Sequence, residues 1–230
     1  MNKIKSLLIW MLVTVVIFLI FFLHWYKFGM VYDFKDWARY EASLYLGFLV
    51  WWTLFVPSFL ALAMTNLSIN PQNVIRQKSR VSIFRKNIVR GIRDAVIFVV
   101  ITGVMGLLRL PFITMNRHEL GTFLLLWLIQ LVTAFISLTM MHIFMMFVYN
   151  YTNRRWLALL ITSSISIILM ASTRLPVELP WQYYAIITMI GDWPNMVVLI
   201  PYFMIIIWIV MIVGIYLIGE SKAKWLTWYR

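Results

Sequence analysis

The chain has 230 residues, 63% of them hydrophobic and 12% charged, with a mean hydropathy of +0.87. A soluble core of this length cannot hide so much apolar surface, so lipid is the expected solvent, and the remainder is too short for a soluble domain of useful size. The formal charge of +12 comes without a basic surface domain, which excludes a nucleic-acid reading, and the absence of cysteine excludes disulfides, thiol catalysis and thiolate-held metals.

A helix needs about 20 apolar residues to cross the hydrocarbon. The sequence predicts an all-α polytopic membrane protein, a single transmembrane domain over 1–230 with six spans at approximately 6–26, 42–64, 94–113, 120–148, 156–172 and 196–219. Two lysines and an apolar run open the chain in the manner of a signal peptide. The run is too long for one, and His24, Trp25 and Tyr26 follow it in place of a small-residue cleavage site, so it is read as a retained first span. Pro57 falls inside span two and is expected to kink it. Thr65 to Asn73 is turn-like, with Asn70-Pro71 as a breaker. Val81, Phe84, Ile88 and Ile92 then recur at helical spacing, with Arg85, Lys86, Arg90 and Arg93 between them. This reads as a basic amphipathic helix on the inner membrane surface, ahead of span three.

Span four is longer than one bilayer thickness and is expected to tilt or project inward. The connection 173–195 holds three prolines, two tryptophans and two tyrosines. Its Trp181–Ile190 stretch is too short to span and is expected to dip into the outer leaflet as a re-entrant or interfacial segment. The sequence contains no internal repeat or flexible linker.

Charge sorts by side. With the N-terminus inside, inner segments carry fourteen basic residues against only Asp94 and Glu220, a net +12, whereas outer segments carry six of each sign. Basic residues are retained on the cytoplasmic side during insertion, so both termini are expected in the cytoplasm and the protein in the cell membrane. Half of the inner basic residues lie in the connection 65–93.

Signals for chemistry are sparse. No G-x-x-x-x-G-K-[ST] loop and no His-Glu-x-x-His is present, and His24, His118 and His142 lie on different segments. His142 alone is a titratable group deep in a span, read either as a proton relay or as a neutral imidazole bonded between helices. Asp94 is expected to cap the start of span three. Gly103 and Gly106 offer a close helix contact. The outer acids Glu41, Glu119, Glu178 and Asp192 read as wet loop residues or as a surface for a cationic peptide. No metal site and no cofactor is expected in this chain, and it is not read as an enzyme.

Asn73-Val-Ile-Arg-Gln-Lys-Ser-Arg80, followed by a basic helix into the third span, resembles the x-I-R-x-x-S-R stretch of ABC-2-type permease subunits. These are six-span membrane subunits of bacterial ABC exporters, commonly linked in Gram-positive bacteria to bacteriocin or lantibiotic export and immunity. The layout agrees over nearly the whole length. The resemblance implies that Ile75, Arg76, Lys78, Ser79 and Arg80 form a coupling helix against a cytoplasmic ABC ATPase, itself a dimer, and that ATP and Mg sit in that partner. It also implies a second copy or a homologous permease facing this one, with Trp181, Tyr183, Tyr184 and Trp193 as outer gate or substrate contacts.

The expected function is therefore that of a permease subunit moving an amphipathic peptide or lipid-like compound. A non-transporting immunity protein that sequesters a peptide at the outer leaflet is the alternative, and it needs no ATPase. An intramembrane enzyme acting on lipid requires an acid or a hydroxyl nucleophile beside His142.

Overall fold

The computed structural model describes residues 3–28, 32–33, 51–65, 80–108, 113–114, 117–172 and 209–221. The described residues are helical but for two short bridges and two brief links: α1 (Lys3–Phe28), α2 (Val56–Thr65), α3 (Arg80–Leu107), α4 (Arg117–Thr152), α5 (Arg155–Ser172) and α6 (Ile209–Ser221). The fold is all-α. Among the described residues one stretch, Ala134–Thr152 at a hydropathy of 1.3, is long and apolar enough to cross a membrane, and four further apolar helices are shorter.

Helix α2 continues without a break from a π-helical turn, Trp51–Phe55. Pro57, second in α2, has no N–H to give to that turn, so the ladder lacks one bond where the π turn meets the α-helix. Ser166 of α5 donates its hydroxyl to the Trp52 carbonyl in the same turn. The turn directly ahead of Pro57 is thus π-helical and carries a cross-helix bond.

The core sits among α2, α3, α4 and α5. Trp51, Trp52, Phe55, Phe59 and Phe98 are fully buried there. Phe98 receives the edges of two rings, Phe55 at 6.1 Å and Phe59 at 5.7 Å, the arrangement that aromatic quadrupoles favour. Helix α1 lies against α3.

The basic helix was expected to run directly into the apolar stretch after it, and helix α3 takes in both as one 28-residue helix, Arg80–Leu107. The reason lies in its phase. Phe84, Ile88, Ala95, Phe98 and Thr102 form one buried stripe through both halves, and neither proline nor a change of register separates the amphipathic part from the apolar part. Asp94 is therefore mid-helix and caps nothing.

Helix α4 spans 36 residues, about 54 Å at the usual rise and longer than a hydrocarbon core, as expected. Residues 32–33 pair in parallel with 113–114, tying the connection after α1 to the connection before α4. Asn153 joins α4 to α5 with φ of 53°, donating its N–H to the Tyr149 carbonyl at 2.8 Å. Asparagine tolerates this left-handed backbone, whereas a β-branched residue does not. Asn153→Val is expected to cost about 1–2 kcal/mol and Asn153→Gly little, as read by chemical unfolding in detergent.

Candidate functional site

Helix α3 carries two different faces along its length. Towards its N-terminus Arg85, Lys86 and Arg93 are exposed, with Arg90 half-buried. Beyond Arg93 the outward ridge becomes apolar, running Val96, Val100, Val104 and Leu108 at four-residue spacing. The inward face is buried from Phe84 to Gly103.

The basic half is held at two levels. At the first, Phe84 stacks on Tyr216 of α6, with ring centroids 5.9 Å apart and planes 29° apart. The next residue, Arg85, makes a two-pronged contact with Glu220, Nη2 to Oε1 at 2.7 Å and Nε to Oε2 at 3.4 Å. The Glu220 side chain is 10% exposed and that of Arg85 58%. A planar guanidinium meeting a mostly covered carboxylate in this way is the geometrically selective form of an ion pair. The Glu220 hydrogen bond, and then its charge, raise the Arg85 pKa above the usual guanidinium value, so the guanidinium stays charged. Gly219 completes the contact: a side chain there would run into the Phe84 ring.

The second level is where α3 meets α4. Gly91 lies under the imidazole of His142, and a methyl group at position 91 would overlap that ring. His142 is fully buried, and its Nε2 sits 3.2 Å from the Asn87 carbonyl oxygen one turn earlier on α3. A nitrogen facing a carbonyl must carry the proton, so Nε2 donates. The ring also meets Phe59 edge-on at 6.4 Å. Asp94, three residues beyond Gly91 and 1% exposed, is close enough to act electrostatically on the imidazole. Its carboxylate accepts from Arg93, Nη2 at 3.0 Å and Nε at 3.3 Å. An acid therefore does lie near His142. The two acids assigned to the inner side by sequence both meet arginines of α3.

The apolar half of α3 makes a third, looser contact. Gly103 faces Leu131, and its carbonyl accepts from Trp127 Nε1 at 3.3 Å. Gly103, expected as a close-contact glycine, is buried in the α3–α4 seam, while Gly106 is half-buried. Gly91 is the tighter approach, and sequence reading did not single it out. Nor did it single out Glu220, Tyr216 or Phe84 as partners. The available signal was that an aromatic–acid pair at i, i+4 on α6 matches an aromatic–base pair on α3.

Of the residues implied by the family resemblance, Arg80 opens α3. Ile75, Arg76, Lys78, Ser79, Trp181, Tyr183, Tyr184 and Trp193 lie outside the described residues, as do most of the expected sixth span and the outer segment 173–195. Among the described residues no three His, Cys, Asp or Glu side chains come together to hold a metal ion. Comparisons with protein-family models, with curated proteins and with solved structures find no match.

Proposed function

We propose that this chain is a six-span membrane protein, the permease subunit of an ATP-driven ABC exporter. It has both termini in the cytoplasm and moves an amphipathic peptide or lipid-like compound. A separate cytoplasmic ATPase subunit holds the ATP and Mg, and a second copy or a homologous permease completes the pathway. The observation that carries this reading is α3, an unbroken 28-residue helix with an exposed basic half and a half buried in the bundle.

Such a helix is what a subunit without its own phosphate loop needs in order to receive work from outside. A rod of two halves, each about 21 Å long, turns displacement at the basic end into an opposite displacement within the bundle, as a rigid-body tilt. The Gly91–His142 contact is tighter than the Gly103–Leu131 contact and acts as the fulcrum. The lipid-facing part of the reading draws support from the apolar ridges Val96–Leu108 on α3 and Leu120, Leu124, Leu128 and Val132 on α4, all exposed. In water, contiguous apolar surface of that extent is an aggregation liability; in lipid it is the expected exterior. On this reading the inner boundary of the bilayer falls between Arg93 and Val96. His142 then lies near the inner surface, and its contacts with Asn87 and Gly91 are those of an imidazole bonded between helices.

The test is purification from membranes with a tagged chain. The wild type is expected to carry an ATPase subunit and, reconstituted, to drive ATP-dependent movement of a labelled amphipathic peptide. Changing Arg76 and Arg80 to Glu is expected to abolish the association while membrane insertion is unchanged. Peptide retention at the outer leaflet with no ATPase bound would replace this reading with that of a sequestering immunity protein.

A further inference from the structure

Phe84 and Arg85 lie on the basic side of the fulcrum, between the expected ATPase-facing end of α3 and Gly91. Their partners Tyr216, Gly219 and Glu220 all belong to the last turns of α6. Three contacts of different chemistry thus converge on one spot: a ring stack, a close approach that only glycine permits, and a two-pronged ion pair whose carboxylate is nearly covered. A covered carboxylate cannot leave its guanidinium without being stranded, so the ion pair resists separation more than an exposed pair does. The stack and the glycine approach fix the rotation of α6 about its own axis as well as its distance from α3.

We propose that the cytoplasmic half of α3 and the inner end of α6 move as one body, so that the ATPase stroke received by α3 is delivered to the last span through Arg85 and Glu220 as positioning residues. This rests on the permease reading and deepens it: the stroke enters through one helix and acts on two. The bundle half of α3 tilts against α4 about Gly91, while α6 is carried with the basic half in the opposite sense. The cavity-facing elements of a transporter then shift relative to one another without any change inside a helix.

The chain contains no cysteine, so paired thiols can be placed without interference. The experiment uses the full chain with its ATPase partner in proteoliposomes. Phe84→Cys with Gly219→Cys is joined by a short bis-thiosulfonate reagent that dithiothreitol removes. If the two helices move together, the joined protein transports at least as well as the unjoined one, which has lost the Phe84 ring stack. Transport that is lost on joining and restored by dithiothreitol means that the helices separate during the cycle, and overturns the proposal.

The charge variants give an independent reading. Arg85→Glu is expected to lower transport per ATP hydrolysed by about tenfold or more, a coupling effect of ordinary size, with ATPase association retained. The exchange Arg85→Glu with Glu220→Arg is expected to recover most of that ratio, whereas a purely structural role would lower the amount of folded complex and leave the ratio unmoved in both variants. An unchanged transport-to-hydrolysis ratio in Arg85→Glu also overturns the proposal. Loss of ATPase association in the wild type would instead overturn the permease reading itself, so the two failures are distinct.

Discussion

Gly91→Ala is expected to destabilise the protein by about 2 kcal/mol, despite the helix propensity it gains. Two effects compete. Alanine is favoured over glycine inside a helix by about 1 kcal/mol. Against this, the added methyl would occupy the space of the His142 ring, and overpacking a closed interface costs typically about 1–3 kcal/mol, occasionally more. Here the larger figure applies, because the ring has nowhere to go. It is fully buried, meets Phe59 edge-on at 6.4 Å, and is tied by Nε2 to the Asn87 carbonyl. Moving it away gives up that hydrogen bond as well.

The other glycines calibrate the effect. A Cβ at Gly103 would meet the end of Leu131, which can rotate away, and one at Gly219 would meet the Phe84 ring. At Gly121 and Gly214 a Cβ would meet nothing within 4 Å. Stability in detergent is therefore expected to fall in the order Gly121→Ala and Gly214→Ala, at or above wild type, then Gly103→Ala, then Gly219→Ala, then Gly91→Ala. Adding His142→Ala to Gly91→Ala is expected to return part of the loss, because the smaller side chain vacates the disputed space. If Gly91→Ala proves as stable as Gly121→Ala, α3 and α4 do not meet at His142, and the fulcrum is gone.

The α-helical class was legible because composition and periodicity are local properties. The extra length of α4 was also readable, since no proline or glycine follows Gly121 before Thr152. The continuity of α3 was legible because the basic amphipathic stretch runs into the apolar one with no proline between them. Their buried faces share one phase from Phe84 to Thr102. A helix ends where hydrogen bonding or phase fails, and neither fails at Asp94.

The contacts that position α3 were much less legible. Arg85 meets a residue 135 positions away, and His142 meets one 55 positions away. Nothing in either neighbourhood names the partner. The small-residue signal at Gly103 and Gly106 was visible because it is a spacing. Gly91 offers no such spacing, and its importance comes from what sits over it. Asp94 was taken for a cap because an acid before an apolar run often is one. Its burial beside His142 depends on the approach of α4, which sequence pattern does not encode.

Trp51→Ala carries the second large expected effect, a loss of about 3 kcal/mol, at the lower end of the usual range for removing a buried tryptophan. The cost of such a change in water has two parts, transfer of apolar surface and the cavity left behind. If lipid surrounds the bundle, the unfolded reference already keeps the indole out of water, so the transfer part shrinks. The cavity part does not. Trp51 is fully buried, its ring meets Phe55 at 5.7 Å and 66°, and Phe55 in turn meets Phe98. The hydrogen bond can be separated from the volume. Trp51 Nε1 donates to Ser137 Oγ at 2.9 Å, and that hydroxyl donates onward to the Ala134 carbonyl at 2.8 Å. Ser137→Ala strands a buried indole N–H and is expected to cost about 1–3 kcal/mol. Trp51→Phe removes the donor and much less volume, and is expected to cost less than Trp51→Ala. In the double variant Trp51→Phe with Ser137→Ala neither partner remains to be stranded, so its loss should fall well short of the sum of the single losses. Additive losses in unfolding by denaturant would mean that the indole and the hydroxyl are not bonded, and that the π turn is held to α4 by shape alone.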